Sequence, residues 1–246
     1  MEEPITIVTV SHNNYHYLKF MVNQIERIMG SNSYQLLVMD NQSTETKTKN
    51  YLHELDQVMD AIVLYNQTNY GPRINHMNHQ EIYKSLPERY LMTDPDILVS
   101  PQLPPNFYEI MCRISEQYGA EKVGFALDIS EPNLLYDMPD YFMGKSIVVW
   151  ESQFWQHPIE PLWESGDIVD TPIPLYRAEI DTTFCLVNKR YENSGVHIRM
   201  GGPKFTAKHL PWYRRNPVFT DQDVLYDMAR EQGADSTMAQ HILRGL

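Results

Sequence analysis

Asp94-Pro95-Asp96 places two carboxylates two residues apart and fixes the backbone between them with a proline. Coming directly after the strand-like run Arg89-Tyr90-Leu91-Met92-Thr93, such a pair can offer oxygen ligands to a hard divalent cation, Mg²⁺ or Mn²⁺. The same triplet also makes an ordinary turn, and its spacing leaves both readings open. Asp40 closes a second apolar run, Leu36-Leu37-Val38-Met39. A carboxylate there can accept hydrogen bonds from a ribose hydroxyl or a nucleobase, or it can serve an Asx turn and cap the next helix. Asn69-Tyr70-Gly71-Pro72-Arg73-Ile74-Asn75 reads as a glycine turn into a helix that bears an arginine. A helix start with Arg73 suits a diphosphate, and the plainer alternative is a solvated helix face.

The elements that hold these residues follow from the apolar pattern. Ile5-Thr6-Ile7-Val8-Thr9-Val10 is β-branched throughout, which fits a strand buried on both faces and so a parallel sheet. Tyr17, Leu18, Met21, Val22, Ile25, Ile28 and Met29 then recur at helical spacing, and Gly30 follows as a stop. The unit repeats through Leu36–Met39, a mixed helix around Tyr51, Leu52 and Leu55, a strand at 61–65, and the strand at 89–93 that ends in Asp94. Alternation of this kind predicts an α/β fold with a ligand crevice at the carboxyl ends of its strands. Beyond Pro101-Gln102-Leu103-Pro104-Pro105 the texture changes. A helix at 107–118, a strand at 122–127 and a stretch rich in proline and aromatic residues lead to a C-terminal helix at about 220–231, stopped by Gly233. Two lobes on one continuous sheet are expected, with a soft boundary near residue 100.

Composition narrows the partners. The 246 residues carry 20 Lys and Arg against 32 Asp and Glu, a formal charge of −12. That balance opposes nucleic acid and anionic membrane surfaces. A small anion would still need a local cation, such as a metal ion or a few placed basic side chains. No apolar run approaches the length of a membrane span, and Met1-Glu2-Glu3-Pro4 lacks a secretory n-region, so a cytoplasmic location is expected. Cys112 and Cys185 each sit among apolar neighbours and read as buried free thiols.

Taken in order, Thr9-Val10-Ser11-His12-Asn13-Asn14, Met39-Asp40-Asn41-Gln42-Ser43-Thr44, Asn69-Tyr70-Gly71 with Asn75, and Asp94-Pro95-Asp96 resemble the nucleotide-sugar-dependent glycosyltransferases of GT-A fold, particularly family 2. The resemblance is clear over residues 4 to about 100. Farther on, Ile180-Asp181-Thr182-Thr183-Phe184 and Lys208-His209-Leu210-Pro211-Trp212-Tyr213 are similar to late motifs of related bacterial and viral enzymes. It implies a single GT-A-like domain over 1–246, with a mostly parallel central sheet covered by helices on both faces. A Rossmann-like nucleotide lobe over 1–100 would join an acceptor lobe over 101–246.

In residue roles, the resemblance implies that Thr9, Ser11 and Asp40 surround the nucleoside and that Arg73 and Asn75 lie by the donor. Asp94 and Asp96 would hold a divalent metal on the donor diphosphate, and His209 would be a late metal or phosphate ligand. Arg199, Lys204, Lys208, Arg214 and Arg215 form the most basic stretch of the chain, which suits a loop closing over a diphosphate. Where family 2 commonly carries an acidic pair in the acceptor lobe, this chain has Asp181 followed by two threonines. Asp181 is the candidate base, placed at the edge of the acceptor lobe by a strand expected over Thr182 to Val187, with Asp128 and Glu151 as rivals.

The implied reaction is metal-dependent transfer of a sugar, UDP-linked by family weighting, to an acceptor hydroxyl with inversion. A sugar nucleotidyltransferase of related fold is expected to have a Gly-rich basic loop after the first strand, and Ser11-His12-Asn13-Asn14 has neither Gly nor Arg. A non-catalytic carbohydrate-binding protein of the same fold is the remaining alternative.

Overall fold

A computed structural model of the chain describes residues 3–30, 33–72, 79–162, 172–219, 222–232 and 237–244. The β-branched first run forms β1 (Ile5–Ser11), which pairs in parallel with β2 (Tyr34–Asp40) on one side and β4 (Arg89–Thr93) on the other. Beyond β2 lies β3 (Ile62–Tyr65), also parallel. On the far side of β4 the sheet continues through β9 (Cys185–Asn188), β6 (Lys122–Leu127), β10 (His197–Met200), β8 (Ile173–Arg177) and β7 (Pro158–Leu162). β3, β2, β1, β4, β6, β10 and β7 all run one way, while β9 and β8 run the other. Ser11, Asp40, Asp94, Asp128 and the segment entering β9 therefore gather at one edge of a mostly parallel sheet.

One face of the sheet is covered by α1 (Tyr15–Met29), α2 (Thr46–Val58) and α4 (Phe107–Tyr118). Their apolar stripes, among them Leu18, Met21, Ile25, Leu52, Leu55, Ile110 and Ile114, join Ile7, Val38, Leu91, Val123 and Phe125 in the main core. On the other face, α3 (Gln80–Ser85) and the chain around Ile180 pack over Val8, Met39, Tyr90, Met92 and Cys185. Gly124 is pressed by that segment, since a Cβ on it would lie 2.8 Å from the Cys185 Cβ and 2.9 Å from the Phe184 carbonyl. β5 (Ile97–Val99) follows the Asp94-Pro95-Asp96 turn and pairs antiparallel with β11 (Thr206–His209), which also adds to β6. The buried Gln24 of α1 reaches this branch, donating to the Ile97 carbonyl at 2.9 Å and accepting from the Val99 amide at 3.1 Å. It satisfies backbone groups that a short strand would otherwise leave unpaired, and so holds the turn before it.

The late half departs from the sequence reading in three places. Residues 199 to 215 form β10, β11 and a 3₁₀ turn at Leu210–Trp212, not a basic closing loop, because Ile198, Met200, Ala207 and Leu210 point into the core. The strand expected from Thr182 begins only at Cys185, which leaves Asp181 to Phe184 as a bend. Well after a short helix α5 (Ile147–Ser152), the C-terminal helix α6 (Gln222–Gln232) is followed by a further one, α7 (Thr237–Leu243), and the two bury Leu225, Met228, Ala239 and Ile242 against Tyr17 and Leu210. The expected start at Thr220 and stop at Gly233 lie outside the described residues, as do Arg73 and Asn75.

Candidate active site

Register explains how residues far apart in sequence meet. His209 lies opposite Ile97 in the β11–β5 pair, beside Asp96, and the Leu210 amide donates to the Asp96 carbonyl at 2.9 Å. His209 Nε2 stands 3.5 Å from Asp96 Oδ2. Cys185 of β9 lies opposite Met92 of β4, so the residues just before Cys185 rise beside Asp94. There the Thr182 hydroxyl donates to Asp94 Oδ2 at 2.6 Å. Trp212 stacks at a tilt on His209 with ring centroids 4.8 Å apart, and Tyr141 meets Trp212 edge-on at 5.8 Å.

Burial, then the charge of Asp96, pushes the Asp94 carboxyl well above the ordinary carboxylate range, with the Thr182 hydrogen bond and His209 opposing the shift. Burial does the same to Asp96. His209 is driven down to about 4 by burial, which the Asp94 charge only partly offsets. Its contact with Asp96 is therefore that of a neutral imidazole, the metal-ligating form. Asp96 and His209 keep 23% and 17% of their side-chain surface open, which softens both shifts. Asp96 Oδ1 and His209 Nδ1 are buried with no hydrogen-bond partner. Two carboxylates reluctant to share negative charge, one with an orphaned oxygen, fit a divalent cation. Among the described residues no three His, Cys, Asp or Glu side chains converge as a preformed metal cluster. A cation bound here would complete its shell with water or substrate phosphate, as Mg²⁺ and Mn²⁺ sites commonly do.

Asp94 and His209 open onto a cavity of about 710 Å³ whose wall includes Tyr141, Trp150, Phe154, Asp181, Arg199 and Trp212. Asp181 is exposed there, and its charge adds to the upward push on Asp94. Glu151 lines the same cavity but is buried, with Oε1 2.5 Å from Arg199 Nη1. Pairing alone would lower the acid and raise the base, yet burial dominates both: Glu151 is pushed up to about 7 and Arg199 down. Arg199 also donates from Nε to the Glu179 carbonyl at 2.8 Å, and its guanidinium lies 4.1 Å from the Phe154 ring centroid. The other rival, Asp128, faces a different cavity, where it accepts from the Ser130 amide and hydroxyl.

The expected nucleoside residues gather at the ends of β1 and β2. Thr9, Ser11 and Asp40 are all buried, and Thr9 Oγ1 has no partner. The Ser11 hydroxyl donates to Asn14 Oδ1 at 2.6 Å, and the Asp40 carboxylate accepts from the Ser43 amide at 3.2 Å, the turn-forming alternative for that residue. Asn13 binds across to Thr44 and donates to the Glu231 carbonyl of α6 at 2.9 Å, so the C-terminal helices border this crevice. Sequence reasoning missed Thr182 and Gln24 as parts of the site, and it read Arg199 as part of a closing loop where the structure has it buried against Glu151. Only Arg199 had a local signal, the alternation of His197-Ile198-Arg199-Met200 as a half-buried strand.

No family model matches the chain, and no curated protein is similar to it in sequence. Solved structures are similar in shape. GalNAc-T7, solved with UDP, GalNAc and Mn²⁺, superposes at TM-score 0.54 with 13% identity over 93% of this chain and 47% of its own. TarS of S. aureus in complex with UDP-GlcNAc gives TM-score 0.48 and 9% identity over 98% of this chain and 70% of its own. The mannosyltransferase PcManGT from Pyrobaculum calidifontis, with GDP-Man and Mn²⁺, gives 0.40 and 13% over 52% and 36%. This chain thus spans about half the length of GalNAc-T7 and about a third of the mannosyltransferase. No described helix is long and apolar enough to cross a membrane. The sheet order, the crevice at the strand ends and the match to GalNAc-T7 identify the fold as that of the GT-A glycosyltransferases.

Proposed function

We propose that the protein transfers a sugar from a nucleotide diphosphate donor, UDP-linked, to an acceptor hydroxyl, with inversion and with the help of Mn²⁺ or Mg²⁺. The observation that carries this reading is the half-buried Asp94-Pro95-Asp96 turn, with Asp94 opening onto the aromatic cavity and Asp96 Oδ1 left unpartnered. When bound, the cation would offset the charge that develops on the departing diphosphate. Asp94, Asp96 and the neutral His209 would hold it, while Thr9, Ser11 and Asp40 line the nucleoside side. Asp181, exposed on the cavity wall, would take the proton from the acceptor hydroxyl as that oxygen attacks the anomeric carbon. The aromatic wall suits the apolar faces of a sugar.

Hydrolysis of a panel of nucleotide sugars, in Mn²⁺ and in chelator, tests the proposal. We expect slow donor breakdown that needs the metal and is confined to one or a few donors. Absence of breakdown for every donor, together with no nucleotide binding, would remove the enzyme reading.

A further inference from the structure

The Asp94 carboxylate is not free to turn. Its Oδ2 receives the Thr182 hydroxyl at 2.6 Å, and the Thr93 hydroxyl donates to the Asp94 carbonyl at 2.9 Å. Thr182 is buried and stands on the bend that also carries Asp181, ahead of β9. That bend is itself fastened, since Lys122 Nζ donates to the Ile180 and Asp181 carbonyls at 3.0 and 2.9 Å. Asp94 Oδ2 thus lies under a donor fixed from the opposite half of the sheet, and the carboxylate's other oxygen is left as the one to meet a cation.

We infer that Thr182 is a positioning residue: its hydroxyl sets the rotation of the Asp94 carboxylate for a divalent cation and ties the metal side of the cavity to the bend bearing Asp181. The inference rests on the metal reading above. Hydrogen-bond partners of metal-binding carboxylates orient the ligand, and their loss commonly lowers metal affinity by about 10- to 100-fold. Threonine suits the task because its branched side chain is stiff at χ1 and buries a methyl while offering one directed hydroxyl.

The test is titration of Mn²⁺ into the full chain, with free ion followed by electron paramagnetic resonance. The wild type, Thr182→Val, Thr182→Ala and Thr182→Ser are compared, and thermal melting of each reports the fold. We expect Thr182→Val and Thr182→Ala to bind Mn²⁺ about 10- to 100-fold more weakly and Thr182→Ser to stay within about 3-fold of the wild type. The melting temperature should not track affinity. If Thr182→Val does not fold, the Ser and Ala variants carry the comparison. Unchanged affinity in Thr182→Val or Thr182→Ala, or a serine variant as weak as alanine, would overturn the positioning role. A wild type that binds no Mn²⁺ would instead overturn the metal reading, and the role of Thr182 with it.

Discussion

Asp181→Asn is expected to lower transfer by about 10²- to 10⁴-fold while donor affinity stays near that of the unmodified protein. The amide keeps the shape of the carboxylate and loses its affinity for a proton, so a general base fails while a binding contact largely survives. The setting favours Asp181 over its rivals on geometric grounds. Asp128 opens onto another cavity and is engaged with Ser130. Glu151 is buried and committed to Arg199. Asp181 is the exposed one of the three, on the cavity wall it shares with Asp94. Turnover measured beside calorimetric donor affinity decides the matter. Near-normal turnover removes Asp181 from the chemistry, and loss of both properties marks a structural role.

Glu151→Ala should destabilise the fold by about 3–5 kcal/mol, because it leaves the Arg199 guanidinium buried without its counter-charge. Arg199 keeps only 4% of its surface exposed, so in the intact fold its charge is offset by Glu151 and not by bulk solvent. Replacing both members by apolar residues of similar volume, Glu151→Leu with Arg199→Met, should cost far less than the single change, since the desolvation of two charges disappears with them. Urea denaturation of the three proteins measures this. A single variant within about 0.5 kcal/mol of the wild type would show that the pair is dispensable.

The first half of the fold was legible because its signals are local. The β-branched run of β1, the helical spacing of α1 and the strand that delivers Asp94 each declare themselves within a few residues, and β4, β6 and α4 fall where the pattern put them. The bend before β9 was not legible, because Thr182-Thr183-Phe184 has strand-like chemistry that tertiary context overrides. The bond from Thr182 to Asp94 depends on the pairing of β9 with β4 across 88 positions of sequence, and no local pattern encodes such a register. Charge misled in the same region. Five basic residues from 199 to 215 suggested a mobile surface, while the alternation of Ile198, Met200, Ala207 and His209 with polar neighbours already had the period of strands. Gln24, a polar residue on the apolar stripe of α1, carries no local sign of its role, which is to complete β5 beside the acidic turn.

On the proposed reading, Asp94 and Asp96 would hold a divalent cation that joins the donor diphosphate to the protein. Calorimetry of UDP binding with and without Mn²⁺, for the wild type and for Asp96→Ala, tests it most directly. Mn²⁺ is expected to strengthen UDP binding to the wild type and to do so far less in Asp96→Ala, because the variant removes one of the two carboxylates that would hold the ion. UDP affinity that is the same in Asp96→Ala as in the wild type, with Mn²⁺ equally helpful to both, would contradict it.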